Sequence, residues 1–179
     1  READMKFLSG MNRKFAEAHA GDDAFAARLR SYELAARMQV SIPEATSLDS
    51  ETAAVKKLYG LGEESNKGFA QNCLMARRLL ERGVRFVQIF NGGAFGSPRI
   101  NWDGHENLKE NHDHQAATMD KPVAALIQDL KQRGMLEDTL IVWSTEFGRS
   151  PSTQGINSPG RDHHPTALTC FLAGAGVKK

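Results

Sequence analysis

"TLIVWSTEFGRS", residues 139 to 150, passes from a nearly unbroken apolar run to an acid, a glycine and an arginine. The run at 139–145 has strand length and is built from β-branched and aromatic residues. That predicts a strand, and its apolar character on both faces predicts a central one. Glu146 follows directly. A carboxylate at the end of an apolar strand must be exposed or paired, because burying it alone costs several kcal/mol.

Working outward, the segment upstream carries Met119, Val123, Leu126, Ile127 and Leu130 at helical spacing, with Gly134 as a stop, and predicts an amphipathic helix over about 115–133. Before it, residues 68–82 place Phe69, Cys73, Ala76, Leu79 and Leu80 on one helical face; Gly83 ends that helix and "VRFVQIF" (84–90) follows as an expected strand. A polar, glycine- and histidine-rich loop is expected from Asn91 to about His112. Downstream, "ALTCFLAG" (167–174) predicts a third strand. The order helix, strand, helix, strand, strand implies an α/β layered sheet with flanking helices.

The front of the chain has a different texture. Leu8, Met11 and Phe15, then Phe25, Leu29, Tyr32 and Ala36, recur every three or four residues, with Asp22 and Asp23 placed to start a second helix. Pro43 is expected to break the run, and Gly60 and Gly62 to close a further short helix. Residues 1–65 are therefore a helical segment, part of or inserted in the main domain, and residues 66–179 an α/β portion. The chain starts without Met inside a helix-like pattern and stops just after an apolar strand, so it reads as a fragment of a larger domain.

Composition narrows the function classes. The 179 residues include 23 basic and 22 acidic side chains, a net charge of +1, which argues against nucleic acid or an anionic membrane surface as partner. No stretch approaches the roughly 20 apolar residues of a membrane span. Cys73 and Cys170 lie among apolar residues and are expected to be buried thiols. The oligomeric state has no signature.

Ligands of open α/β sheets gather beyond the carboxyl ends of the strands. That rule collects "NWDGHENLKENHDH", "EFGRS" and "GRDHHP", which together hold His105, His112, His114, His163 and His164 of the six histidines. Asp103, His105, Glu146, Asp162 and His163 offer the oxygen and imidazole donors of a divalent metal site: zinc or manganese, or calcium if carboxylates dominate. Asp103 and His105, two apart, would point to one side of an extended segment. Asp162 has a second reading as a turn residue bonding locally. Of the His pair, alternation admits one to the site, and His163 is the expected member. His112 and His114 read as solvated residues at a helix start, and Trp102 and Trp143 as core or pocket walls. Arg149 could receive two oxygens of a phosphate or sulfate in its planar fork.

Four stretches in order, "GVRFVQIFNGG", "NWDGHENL", "MDKPVAALIQDLKQRGMLEDTLIVWSTEFGRSP" and "GRDHHP", carry a resemblance. They resemble the bacterial sulfatase-like family known as domain of unknown function fifteen-oh-one, placed by similarity in the alkaline phosphatase superfamily. The match is close over roughly 68–177 and looser before. It implies an alkaline-phosphatase-like fold, incomplete here, and a metal-dependent hydrolase of sulfate or phosphate esters acting on a small-molecule or glycan substrate. Asp103 and His105 match the superfamily's first ligand pair, Glu146 the Asp of its second, and His163 its last ligand; Arg149 would add charge to the transition state as a catalytic residue. Phe147 stands where a further His would fall, which weakens a two-zinc site and keeps open a non-catalytic metal- or glycan-binding role. The superfamily's nucleophile and first metal-binding Asp have no match. Sulfatases make their nucleophile from a cysteine with Pro or Ala two residues on and Arg four on. "CLMAR" (73–77) has the Arg but Met75 between, in mid-helix, and is rejected as such a motif. Twin-arginine export is typical of the family and implies the periplasm or cell surface.

Overall fold

The computed structural model describes residues 2–19, 22–92, 100–153 and 159–178. Parts of two expected loops, 93–99 and 154–158, lie outside the described residues. The chain divides into two compact units, 1–47 and 48–179.

The first unit is a pair of helices, α1 (Glu2–Ala18) and α2 (Asp23–Thr46). Asp22 starts α2 as expected, its carboxylate accepting the Phe25 N–H at 2.8 Å. Phe15 packs between the His19 ring, stacked at 4.0 Å, and the Phe25 ring at 5.0 Å. Helix type was legible, but Phe7, Leu8, Met11, Phe15, Tyr32 and Leu34 are all exposed. Pro43 does not end the helix. It occupies the last turn, where it removes one helical N–H, and α2 runs on to Thr46 before stopping at Ser47, whose backbone is extended (φ −66°, ψ 125°).

In the second unit three helices enclose the core. Helix α3 (Ala53–Tyr59) is capped by Thr52, whose hydroxyl accepts the Val55 N–H, and is closed by Gly60 in the left-handed conformation at φ +77°. Helix α4 (Lys67–Glu81) ends at Gly83, φ +82°, with the Gly83 and Val84 N–H groups bonded back to Leu80 and Leu79. Helix α5 (Leu108–Gln132) begins two turns before the expected start, inside the supposed loop. Its first turns are polar on nearly every side, so no apolar stripe marks them; Asn107 at φ +49° and the Asn111 side chain bonding the Glu106 carbonyl define the start. Tyr59, Ala70, Cys73, Leu74, Ala125, Leu126 and Leu130 form the core, with Ile89, Met135, Leu136 and Ile141 packed against it.

A charge network crosses that core. Arg77 is 2% exposed and bonds Glu51 at 2.6 Å, Glu81 at 2.5 Å and Asp129 at 3.0 Å. Arg78 also pairs with Glu51, Arg133 with Asp129 and Glu81, and the Tyr59 hydroxyl donates to Asp129. Three guanidinium groups thus meet three carboxylates, the balance that lets such charges lie inside a protein. Both ends of "CLMAR" are accounted for here: Cys73 is buried, its thiol pushed up to about 12 by desolvation, and Arg77 is spent on the network.

The strands depart from expectation. Strand β1 (Leu140–Ser144) pairs antiparallel with β4 (Cys170–Gly174), from Leu140 opposite Gly174 to Ser144 opposite Cys170. Among the described residues this sheet has two strands and β1 is not central: Ile141 and Trp143 turn inward while Leu140 and Val142 are exposed. Trp143 stacks on Phe171 at 5.7 Å. Cys170, expected to be buried, lies exposed across from Ser144. Residues 84–90 form no ladder among the described residues, although Val87 and Ile89 are half-buried and Phe86, Gln88 and Phe90 exposed in strand-like alternation. Alternation decides which side faces the core; a ladder also needs a second backbone alongside. A second small ladder joins β2 (Gly148–Arg149) to β3 (His163–His164). The architecture is mixed α/β with small antiparallel sheets.

Candidate metal centre

The chain leaves β1 at Ser144 and returns to β4 at Cys170, and these two residues are ladder partners. The connection between them carries "EFGRS" and "GRDHHP". They meet as β2 and β3, with Arg149 opposite His163 and Gly148 opposite His164. The third segment, 100–107, is joined by the Arg161 N–H donating to the Gly104 carbonyl at 2.9 Å. Gly160 makes that approach possible: a Cβ there would overlap the His105 carbonyl.

Asp103 and His105 do not lie on an extended segment. The His105 N–H bonds the Asp103 carbonyl at 2.7 Å in a three-residue turn, which folds the two side chains together. His105 Nε2 stands 3.0 Å from Asp103 Oδ1, His163 Nε2 stands 2.9 Å from the same oxygen, and the two imidazole nitrogens are 3.0 Å apart. These three donors form the group, among the described residues, that could hold a metal ion. Donors about 2.1 Å from one ion stand about 3.0 Å apart at the right angles of an octahedral set and about 3.4 Å apart in the tetrahedral set usual for zinc, so the spacing is that of hydrogen bonds and would open by about 0.4 Å around a tetrahedral ion.

The surroundings favour the ionised carboxylate. Burial by itself would raise the Asp103 carboxyl, but hydrogen bonds from His163 and Arg149 and the charges of His105 and Arg149 bring it down to about 2. Arg149 Nη2 donates to Asp103 Oδ1 and to the Trp102 carbonyl, both at 2.9 Å, and Nη1 to the Arg161 carbonyl at 3.2 Å. Its fork is therefore directed at the protein, and Arg149 ties the three segments together.

The remaining expected site residues are placed apart from this group. Glu146 is exposed and outside the cluster. Asp162 takes its local reading: Oδ1 accepts the N–H of His163 at 2.7 Å, which holds the start of β3. The β ladder turns His163 to the cluster and leaves His164 beside the Thr166 hydroxyl, as alternation required. His114 is exposed. His112 is half-buried, its Nε2 3.2 Å from the Trp102 carbonyl. The Phe147 ring packs on His163 at 4.3 Å.

Sequence reasoning missed the supporting residues. Trp102, read as a wall, holds Asn91 with its indole N–H and takes Arg149 and His112 on its carbonyl. Gly160, the first letter of "GRDHHP", could have been suspected from a glycine directly before ligand-type residues, where backbones approach closely.

No curated protein and no solved structure matches the chain. The family model described as Protein of unknown function (DUF1501) matches residues 1–179, so this chain belongs to that family.

Proposed function

We propose that Asp103, His105 and His163 bind one divalent metal ion and that the site serves hydrolysis of a sulfate or phosphate ester, as in the sulfatase-like proteins of the alkaline phosphatase superfamily. The convergence of two imidazole nitrogens and one carboxylate oxygen carries this reading. Two nitrogen donors out of three suit zinc or another transition ion better than calcium or magnesium, which favour all-oxygen sets.

When bound, such an ion supplies Lewis acidity toward an ester oxygen. The chain supplies the rest. Asp103 stays ionised at neutral pH, so it offers a lone pair without first losing a proton. The Arg149 guanidinium lies 2.9 Å from Asp103 Oδ1 and would add positive charge near an ester held at the ion. The cluster is partly open, with Asp103 half exposed and His163 40% exposed, which suits a small-molecule or glycan ester reaching it from solution. Export to the periplasm or cell surface is part of this proposal. Among the described residues no helix is long and apolar enough to cross a membrane.

A second reading has its own observation. Phe147 covers one side of His163 and Glu146 stands away from the cluster, which leaves three protein donors for one ion. That set serves equally in a protein that binds metal or a sulfated glycan without turnover.

Elemental analysis of the purified protein beside the Asp103→Ala, His163→Ala double variant tests the metal. Expected is one equivalent in the parent and its loss in the folded variant, followed by turnover of aryl sulfates or phosphates. Metal without turnover selects the binding reading. Equal metal content in both proteins, or none in the folded parent even after addition of zinc, removes the site.

A further inference from the structure

Trp102 precedes Asp103, and the two share a peptide plane: the carbonyl of Trp102 and the N–H of Asp103 turn together. The Trp102 carbonyl is held from two sides, by Arg149 Nη2 at 2.9 Å and by His112 Nε2 at 3.2 Å. Its ring is held as well. The indole N–H donates to Asn91 Oδ1 at 2.7 Å, and the Asn91 amide donates to the Thr118 hydroxyl at 3.0 Å. That hydroxyl donates to the Gln115 carbonyl at 2.8 Å, within α5. The Trp102 and His112 rings lie 5.2 Å apart. The residue just before the ligand turn is thereby fixed to helix α5, to the segment after residue 90 and to strand β2.

We propose that Trp102 is a positioning residue for the Asp103, His105 and His163 cluster, held in place by Asn91 and acting through the shared peptide plane without touching an ion. With the indole loose, only the Arg149 and His112 bonds would hold the Trp102 to Asp103 peptide, and Asp103 Oδ1 would be less closely fixed between the two imidazoles. A tryptophan this well tethered also explains a polar residue at position 91: Asn offers the acceptor for the indole and the donor for Thr118 in one side chain. The metal part of the test rests on the proposed ion site; the geometric part does not.

The experiment compares the parent with Asn91→Ala, Asn91→Asp and Thr118→Val. The readouts are the nuclear magnetic resonances of the Trp102 indole N–H and of the His105 and His163 rings, a zinc titration by calorimetry, and a thermal melt. Asn91→Ala is expected to move the indole and both His ring resonances and to weaken zinc binding by about 10- to 100-fold, the range found when outer partners of metal ligands are lost. Asn91→Asp keeps the acceptor for the indole and should restore most of the parent's resonances and affinity. Thr118→Val cuts only the distant link and should move the same His resonances, in the same direction, by less; it decides the matter if Asn91→Ala fails to fold. An indole resonance that moves while the His105 and His163 resonances stay overturns the proposal. Zinc binding by none of the folded proteins sinks the ion site instead, and the ring resonances still decide whether Trp102 positions the cluster.

Discussion

Gly160 shows how narrowly the site is built. An added Cβ would overlap the His105 carbonyl and crowd the Gly104 carbonyl, both backbone atoms that cannot swing aside. Gly160→Ala is therefore expected to push the 103–105 turn away from β3, at a cost of about 1–3 kcal/mol. Zinc affinity should fall at least about tenfold, in the range of lost outer-sphere support. Calorimetric titration beside a denaturant melt checks this; unchanged affinity in a folded variant would show that the turn has room the geometry denies. At this scale the sequence was informative about donors. Asp103, His105 and His163 were identified from residue type and loop position, and they converge. Glu146 and Asp162 were chosen on the same grounds and do not, because donor type is a local property while the direction of a side chain is set by the neighbouring backbone. Asp162 had a nearer partner in the N–H of His163.

Among the elements, β1 offers the sharpest comparison. An apolar run was expected to be covered on both faces, yet Ile141 packs on the core while Val142, its neighbour, is 59% exposed. Ile141→Ala should cost about 2 kcal/mol, near the lower end for buried aliphatic truncations. Val142→Thr should change stability by no more than about 0.5 kcal/mol. Urea unfolding of the two variants discriminates the faces; equal large losses would restore a covered central strand. Helices were legible where a glycine stop or an apolar stripe marked them, as for α3 with Gly60 and α4 with Gly83. They were not legible where helix turns are polar on all sides, as over 108–114 at the start of α5.

Across the whole molecule, the buried ion network ties α3, α4, α5 and the segment before α3 into one cooperative structure. Asp129→Ala leaves Arg77, Arg133 and the Tyr59 hydroxyl without their shared acceptor and should cost about 3–5 kcal/mol, measured by denaturant unfolding. The same network predicts a pH dependence. Burial opposes ionisation of Glu51, but hydrogen bonds and charge from Arg77 and Arg78 prevail and hold its carboxyl below the ordinary 4.5. A carboxyl depressed in the folded state binds fewer protons there than when unfolded. Its contribution is thus complete above about 4.5 and is lost as pH falls through the lower folded value. The melting temperature of Glu51→Gln should lie below the parent's at pH 7, with the gap closing below about pH 4.5; a gap independent of pH would contradict the pairing. Residue order alone determined the helices of strong period, the existence of strands at 140–144 and 170–174, and the kinds of donor available to a metal, since each is a matter of local spacing and chemistry. Only the tertiary structure decided that those strands pair antiparallel, that 84–90 forms no ladder among the described residues, that Arg77 serves the core, and that three donors out of five share one point. Those outcomes depend on which backbone lies beside which, and pairing and burial join residues far apart in the chain.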